Sequence, residues 1–513
     1  MKRVEEHNYT VTISNKYLGS FSNLLKNRRV FGYFIFVIIA PVIFYAIFSS
    51  VVIPYTPRNI ELDWVKYNEQ SWILRQVIST YIFSLAILAT LFFWKFRLAF
   101  AMLGMVILLA FNLVTLELVV DYMNIPVILF LMGMMIIIHY LADLGFFDVI
   151  LKRMMKFTKY NPKLMMVVVI LLSSSMAALV DEVTSILFMT TLVFSTCKRF
   201  DLDPVPYLIA AIMATNIGSS ATVIGNPVGV YTALYAGLTF TDFLKWSTPA
   251  AIASTIIIIL ILLRLNRKYL DAAGKRIGKK TLPSNEEENR VPHIKQGGLI
   301  FGATIILLAL HSPIENALHL SKNTMLIATP LAITALILLK EKEKARKIFE
   351  KNVDWWTLVF FMFLFSMAAT LETTGVTAKL ASYLINLLSL DGPTTIMSTI
   401  MAFLTLVIVI GLMGAFADNI VAVAAMLPVT AEIISYNLPN GDVLWWAAIV
   451  GGCHFGNLTP IGSTANIVAL SLLERKRAGS ITFKTWLRIS IPVTLISVTI
   501  ASFYVLSLMI IGQ

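Results

Sequence analysis

Residues 178–189 read A-L-V-D-E-V-T-S-I-L-F-M, and residues 214–227 read A-T-N-I-G-S-S-A-T-V-I-G-N-P. The chain then repeats itself, with A-F-A-D-N-I-V-A-V-A-A-M at 415–426 and G-G-C-H-F-G-N-L-T-P-I-G-S-T at 451–464. Asp181 pairs with Asp418 (418 − 181 = 237), and Ile224-Gly225 pairs with Ile461-Gly462 (461 − 224 = 237). Each Asp is followed at one fixed spacing by a T-x-I-G turn. Two acidic residues and two glycine-broken segments, repeated inside apolar sequence, predict a transporter site.

The surrounding composition agrees. The chain has 513 residues, 58% hydrophobic and 14% charged, with a mean hydropathy of +0.80. A soluble domain carries about 25% charged residues, so the bulk of this chain belongs in a bilayer. The formal charge of +12 fits cytoplasmic loops rich in Lys and Arg, and no basic domain is left over to bind nucleic acid. Cys197 and Cys453 are the two cysteines, too few for a disulfide framework or a metal site. Mostly polar sequence precedes the first apolar run, so no cleavable signal peptide is expected.

Loop charges set the expected topology. The basic cluster Lys26, Arg28 and Arg29 places the N-terminal tail in the cytoplasm. Spans at 31–53, 72–94, 98–118 and 125–142 follow, each near the length a bilayer requires. The apolar block 164–196 has basic residues at both ends and Ser173, Ser174, Ser175, Asp181 and Glu182 in its middle. One straight span would violate the positive-inside rule, so a re-entrant hairpin with its tip buried in protein is expected. Gly218, Gly225 and Pro227 then interrupt a span at 205–236, because such residues are poor in helix interiors. The second half repeats the plan. The similarity reaches L-A-D-L-G at 141–145 against L-E-T-T-G at 371–375.

The expected fold is an all-α polytopic membrane protein of about 11 transmembrane helices in two inverted repeats, each with a re-entrant hairpin and a broken helix. The expected parts are a cytoplasmic tail (1–30), an extra first span with its external loop (31–71), and repeat 1 (72–266, hairpin 164–196, broken helix 205–236). A cytoplasmic linker (267–296) leads to repeat 2 (297–513, hairpin 393–435, broken helix 443–470), whose C-terminus is external. Asp143 and Glu372 take matching places toward helix ends. An odd number of spans per repeat inverts the second relative to the first. The expected location is the plasma (inner) membrane.

The motif residues have definable chemistry. Asp181 and Asp418 follow the hairpin tips, where an Asp also serves as a helix N-cap. Burying a carboxylate at mid-membrane costs several kcal/mol, so a carboxylate in both halves reads as an ion ligand or proton carrier. Glu182, opposite Asn419, breaks the symmetry and is the candidate proton carrier. Because neighbouring helical residues point about 100° apart, Asp181 and Glu182 share one site only if the tip is distorted. Ser175, Asn216, Ser220, Thr222 and Asn226, with Asn457, Thr459, Ser463 and Asn466, add side-chain oxygens, and capping is the alternative role for each. Oxygen-only sites suit sodium or protonated species. A sodium ion would be held by Asp181, Asp418 and broken-helix carbonyls, with no other cofactor. His454 is more readily a structural residue.

At these residues the chain resembles the ion transporter superfamily, in the citrate-transporter-like group that joins arsenite permeases, NhaD-type sodium/proton antiporters and the P protein. The matching motifs are L-V-D-E-V-T at 179–184, N-I-G-S-S-A-T-V-I-G-N-P at 216–227, A-D-N-I at 417–420 and G-N-L-T-P-I-G-S-T-A-N at 456–466. Glu182 stands where the group has Asn, and Ser219-Ser220 replace a Gly-Thr pair. The resemblance implies a transport subdomain that moves like an elevator against a scaffold, commonly in a homodimer.

Three readings follow. The first is a secondary transporter exchanging sodium for protons through Asp181, Glu182 and Asp418. The second keeps the fold but moves citrate, a dicarboxylate or arsenite with sodium or protons; neither motif contains a Lys or Arg to favour it. A channel ranks below both, since paired hairpins imply alternating access. An intramembrane enzyme has no motif to support it. The partners expected are membrane lipid and a small inorganic ion or small anion.

Overall fold

A backbone in hydrocarbon must satisfy its own polar groups, and a helix does so within one segment. The computed structural model describes residues 28–277, 294–390, 394–476 and 481–511; these are helices and connections, with no strand among the described residues. The expected cytoplasmic tail through residue 27 and the expected linker from 278 to 293 lie outside the described residues.

The principal helices of the first half are α1 (Arg28–Ser50), α2 (Gln70–Phe92), α3 (Arg97–Ala110), α4 (Ile125–Asp143), α5 (Pro162–Leu179), α6 (Glu182–Phe200), α7 (Val205–Gly218), α8 (Pro227–Ala236) and α9 (Thr248–Leu265). The second half supplies α10 (Ile294–Ala309), α11 (Thr324–Glu341), α12 (Trp355–Thr373), α13 (Val376–Leu387), α14 (Ile396–Ala417), α15 (Asn419–Ile434), α16 (Trp445–Ile449), α17 (Thr464–Arg475) and α18 (Phe483–Ile511). A single π-helical turn, Val450–His454, continues α16.

Among the described residues, eight helices are long and apolar enough to cross a membrane, or nine with the bent pair Ile294–Ala309 and His311–Leu318. Of the expected spans, the two broken ones are made of short pieces, such as the 14 residues of α7, and the span at 98–118 is the 14-residue α3. The first arms of the two paired segments, α5 and α14, are each of spanning length at 18 and 22 residues. Each chain reversal falls at an acidic residue, Asp181 or Asp418.

The start of the expected linker is helical: residues 267–277 form the helix Arg267–Ile277 and bury Leu270, Ala273 and Ile277. Those positions recur at helical spacing and make one apolar stripe, a pattern hidden by the high charge of the stretch. Lys163 and Asp271 add an exposed ion pair at 2.9 Å, worth at most about 1 kcal/mol.

The two halves pack reciprocally. Helix α3 lies against α12, and α4 against α11; α9 lies against α18. The second arm α6 of the first half packs on α17 of the second, while α15 packs on α8. Such exchange of equivalent surfaces is what a two-fold relation between similar units produces. Within each half, the helix before the break crosses the first arm of the pair: α7 on α5, and the π turn on α14.

That crossing is tight enough to need a glycine, and the halves place it on opposite helices. A Cβ on Gly218 would lie 2.2 Å from the Ser174 carbonyl oxygen, and one on Gly411 would lie 2.2 Å from the Phe455 ring. Gly218 corresponds to Phe455 (455 − 218 = 237), and Ser174 to Gly411 (411 − 174 = 237). Overpacking of this kind costs about 1–3 kcal/mol, more when the obstacle is backbone. Gly218→Ala should therefore lower the melting temperature in detergent by several degrees. Gly302→Ala in α10, where nothing lies within 4 Å, should leave it unchanged or raise it, since Ala is the better helix former by about 1 kcal/mol.

Candidate functional site: a carboxylate shared by two helix breaks

Helix α7 stops at Gly218 and the chain resumes as α8 at Pro227, with a 3-10 turn at Val223–Gly225 between. In the second half the π turn ends at His454 and α17 begins at Thr464. Each break is fastened to its own reversal by the same bond. The Thr222 hydroxyl donates to the Ala178 carbonyl, and the Thr459 hydroxyl donates to the Ala415 carbonyl. Donors and acceptors both differ by the repeat offset (459 − 222 = 237; 415 − 178 = 237). These threonines are therefore tethers, and the carbonyls they satisfy lie next to the chain reversals.

Glu182 stands at the first turn of α6 and is 2% exposed. Its Oε2 accepts from Ser219 at 3.4 Å and its Oε1 accepts from Ser463 at 3.4 Å. One serine belongs to the first break and the other to the second. The carboxyl group is thus shared between the halves, by bonds long enough to be weak. Ser219 also accepts from Asn226 Nδ2 at 2.7 Å.

Asp181 behaves differently from its neighbour. Its Oδ1 accepts from the backbone N–H of Val183 and Thr184 at 2.8 and 3.0 Å, so it caps α6. That oxygen has the capping role, and Glu182 is the more buried member of the pair. Asp418 makes no such cap. It is 3% exposed, and its Oδ2 accepts from the Thr464 hydroxyl at 3.0 Å. Its Oδ1 has no hydrogen-bond partner among the described residues. The position of Thr464 is taken by Pro227 in the first half (464 − 227 = 237), which has no hydroxyl to draw Asp181 off its cap. Asp418 also sits at φ +72°, a conformation that costs a non-glycine residue on the order of 1–3 kcal/mol.

The amides knit the halves together. Asn216 Nδ2 donates to Asn457 Oδ1 and to Asn466 Oδ1, both at 2.8 Å. Asn466 Nδ2 holds the Gly456 and Thr459 carbonyls at 2.7 and 2.9 Å. Asn226 caps α8 through Gly229 N–H at 2.8 Å, and Ser463, its counterpart, caps α17 through Ala465 N–H at 3.1 Å. Ser220 donates to the Ile217 carbonyl at 2.7 Å and lies 3.3 Å from His454 Nε2. Asn419 Oδ1 accepts from its neighbour Ile420 N–H, leaving Nδ2 without a partner among the described residues. Asn216 Oδ1 is likewise unpartnered.

Ser175 does not join this cluster. It is exposed on α5, while Ser174 bonds Thr255 at 3.0 Å and the Ser173 carbonyl accepts from Ser185 at 3.3 Å. In a run of three serines only one or two can face inward, and Ser175 is the one turned away. Arg97 is 6% exposed. Its guanidinium donates to Thr357, lies 4.3 Å from the Trp94 ring centroid, and acts electrostatically on Asp418. A basic residue closing an apolar run looks like a loop anchor; its burial depends on α12, distant in sequence.

These roles separate by mutation. Asp181→Asn keeps a good cap and should melt with the parent, while Asp181→Ala should cost about 1 kcal/mol. Thr222→Val leaves the Ala178 carbonyl unpaired and should cost about 1–3 kcal/mol. Asp418→Gly removes the backbone strain and should melt no lower than the parent. Thermal melts in detergent check all three.

Comparison with known proteins fits this geometry. Residues 85–451 match the CitMHS family, described as citrate transporter. A 46 kDa membrane protein of Mycobacterium leprae is 31% identical over 385 residues, covering 74% of this chain and 85% of the relative. An uncharacterized transporter of Mycobacterium tuberculosis is 32% identical over 382 residues, with the same coverage. The human P protein is 24% identical over 459 residues, 76% of this chain and 54% of that protein. The solved YdaH transporter of Alcanivorax borkumensis has the same fold, with a TM-score of 0.53 at 14% identity, over 76% of this chain and 85% of that one. The chain is an all-α integral membrane transporter, not an enzyme, and it belongs to the CitMHS citrate transporter family.

Proposed function

We propose that this protein is an ion-coupled secondary transporter that exchanges sodium for protons by alternating access, with Glu182 and Asp418 carrying the ions. The observation behind this reading is Glu182, held by one serine from each broken segment. A group bonded to both halves responds to any movement between them, which is what coupling requires. Asp418 and Asp181 lie within electrostatic reach of Glu182, so a cation or proton at the cluster relieves repulsion among carboxylates. The free acceptors Asp418 Oδ1 and Asn216 Oδ1 are oxygen ligands of the kind sodium takes. The same reading places the protein in the plasma membrane as a homodimer, N-terminus inside and C-terminus outside, with the broken segments moving as an elevator.

A second reading has the support of two observations, the citrate transporter description of the family and the paired helix N-termini of α8 and α17 beside the breaks. Helix N-termini attract anions. In that reading a carboxylate substrate rests at those N-termini, while Glu182 and Asp418 carry the coupling sodium or proton.

Proteoliposomes loaded with a pH-sensitive dye separate the two. An inward sodium gradient should drive proton efflux without any organic anion, and Asp418→Asn should reduce that flux at least tenfold while keeping the parent's melting temperature. Sodium-independent citrate uptake with no sodium/proton exchange would overturn the first reading in favour of the second.

A further inference from the structure

Away from the Glu182 cluster, a second cavity of about 170 Å³ opens where α8, α12 and α15 meet the turn before α4. Its wall carries Asp121, Tyr122, Tyr231, Tyr235, Phe365 and Glu372. Two carboxylates and three phenols face a space with no Lys or Arg in its lining. The half-buried Glu372 carboxylate has neither a hydrogen bond nor an ion pair among the described residues. Tyr231 is 5% exposed, and its hydroxyl likewise makes no hydrogen bond among the described residues. Its ring is pinned against Phe365, with centroids 4.4 Å apart and planes 3° from parallel. The stacked face is covered, and the hydroxyl is the part of Tyr231 left to serve the cavity.

We infer that this cavity is a binding site for a small alkylammonium ion, with Glu372 as counter-charge and the Tyr231 hydroxyl as acceptor. The lining excludes an anion, which would meet two carboxylates and no cation. With two carboxylates, phenols and no His or Cys, the wall is unlike a transition-metal site, and its aromatic rings match the alkyl part of an organic cation. Size points the same way, because an apolar cavity of about 150 Å³ accommodates benzene. An ammonium of about four to six heavy atoms therefore fits. It would set its N–H groups toward Glu372 and the phenol oxygens, and its alkyl part against the aromatic rings of the lining. The wall draws on the first half's broken segment through α8 and on the second half's paired segment through α15. An occupied cavity thus bridges α12 to both site-bearing elements and opposes their relative movement.

Thermal melts of the full chain in detergent test this without reference to transport, so the outcome is independent of the sodium/proton reading. Propylammonium chloride should raise the melting temperature saturably, because a ligand that binds only the folded state stabilises it. Potassium chloride at equal ionic strength, in buffers free of sodium, should give no comparable rise. Glu372→Gln should weaken the propylammonium effect at least tenfold in apparent Kd, and Tyr231→Phe, which keeps the ring stack, should weaken it several-fold. The inference is overturned if propylammonium gives no saturable rise, if potassium matches it, or if both variants respond as the parent does. Should Glu372→Gln fail to fold, the Tyr231→Phe comparison decides alone.

Discussion

A carboxyl group out of contact with water costs several kcal/mol unless other groups bond to it. Glu182 is 2% exposed and meets that requirement with one hydroxyl from each broken segment. Neither half can satisfy it alone. The contacts between α6 and α17 and between α15 and α8 bring the second break up to the Glu182 carboxyl group. The Thr222 and Thr459 tethers keep each break against its own chain reversal, so a displacement at one part of a half is passed to the others. Long bonds of 3.4 Å at the centre, inside a frame of shorter ones, make the carboxyl group the least firmly held part of the cluster.

The repeat is a shared scaffold with an unequal centre. Both halves use the same tether and the same tight crossing, although the glycine has changed helix. What differs is the chemistry at the reversal. Pro227 leaves Asp181 to cap its own helix, and Glu182 takes the inward place. Thr464 bonds Asp418, and Asn419 contributes an amide where the first half has an acid.

Much of this could be read from the residues because it depends on local chemistry. Glycine and proline mark the breaks at 218 and 227, and the 237-residue offset marks which residues share a role. The fold class follows from apolar length and is confirmed by the family match over 85–451. Side-chain direction was less accessible. Ser175 and Asp181 both belong to the motif by position; helix phase turns Ser175 outward, and one oxygen of Asp181 caps α6. Arg97 could not be distinguished from a loop residue, since its partner Thr357 lies 260 positions away. The ordered helix Arg267–Ile277 was masked by charge, because its apolar stripe has only three members. Local pattern carries period and breakage; it does not carry which long-range neighbour will turn a side chain inward.

The central claim is that Glu182 exchanges a proton as sodium binds. Proton release on sodium addition to the detergent-purified protein, followed with a weakly buffered indicator dye, measures this directly. The account predicts saturable release by the parent protein and its loss in Glu182→Gln, at an unchanged melting temperature. Equal release by Glu182→Gln and the parent would contradict it.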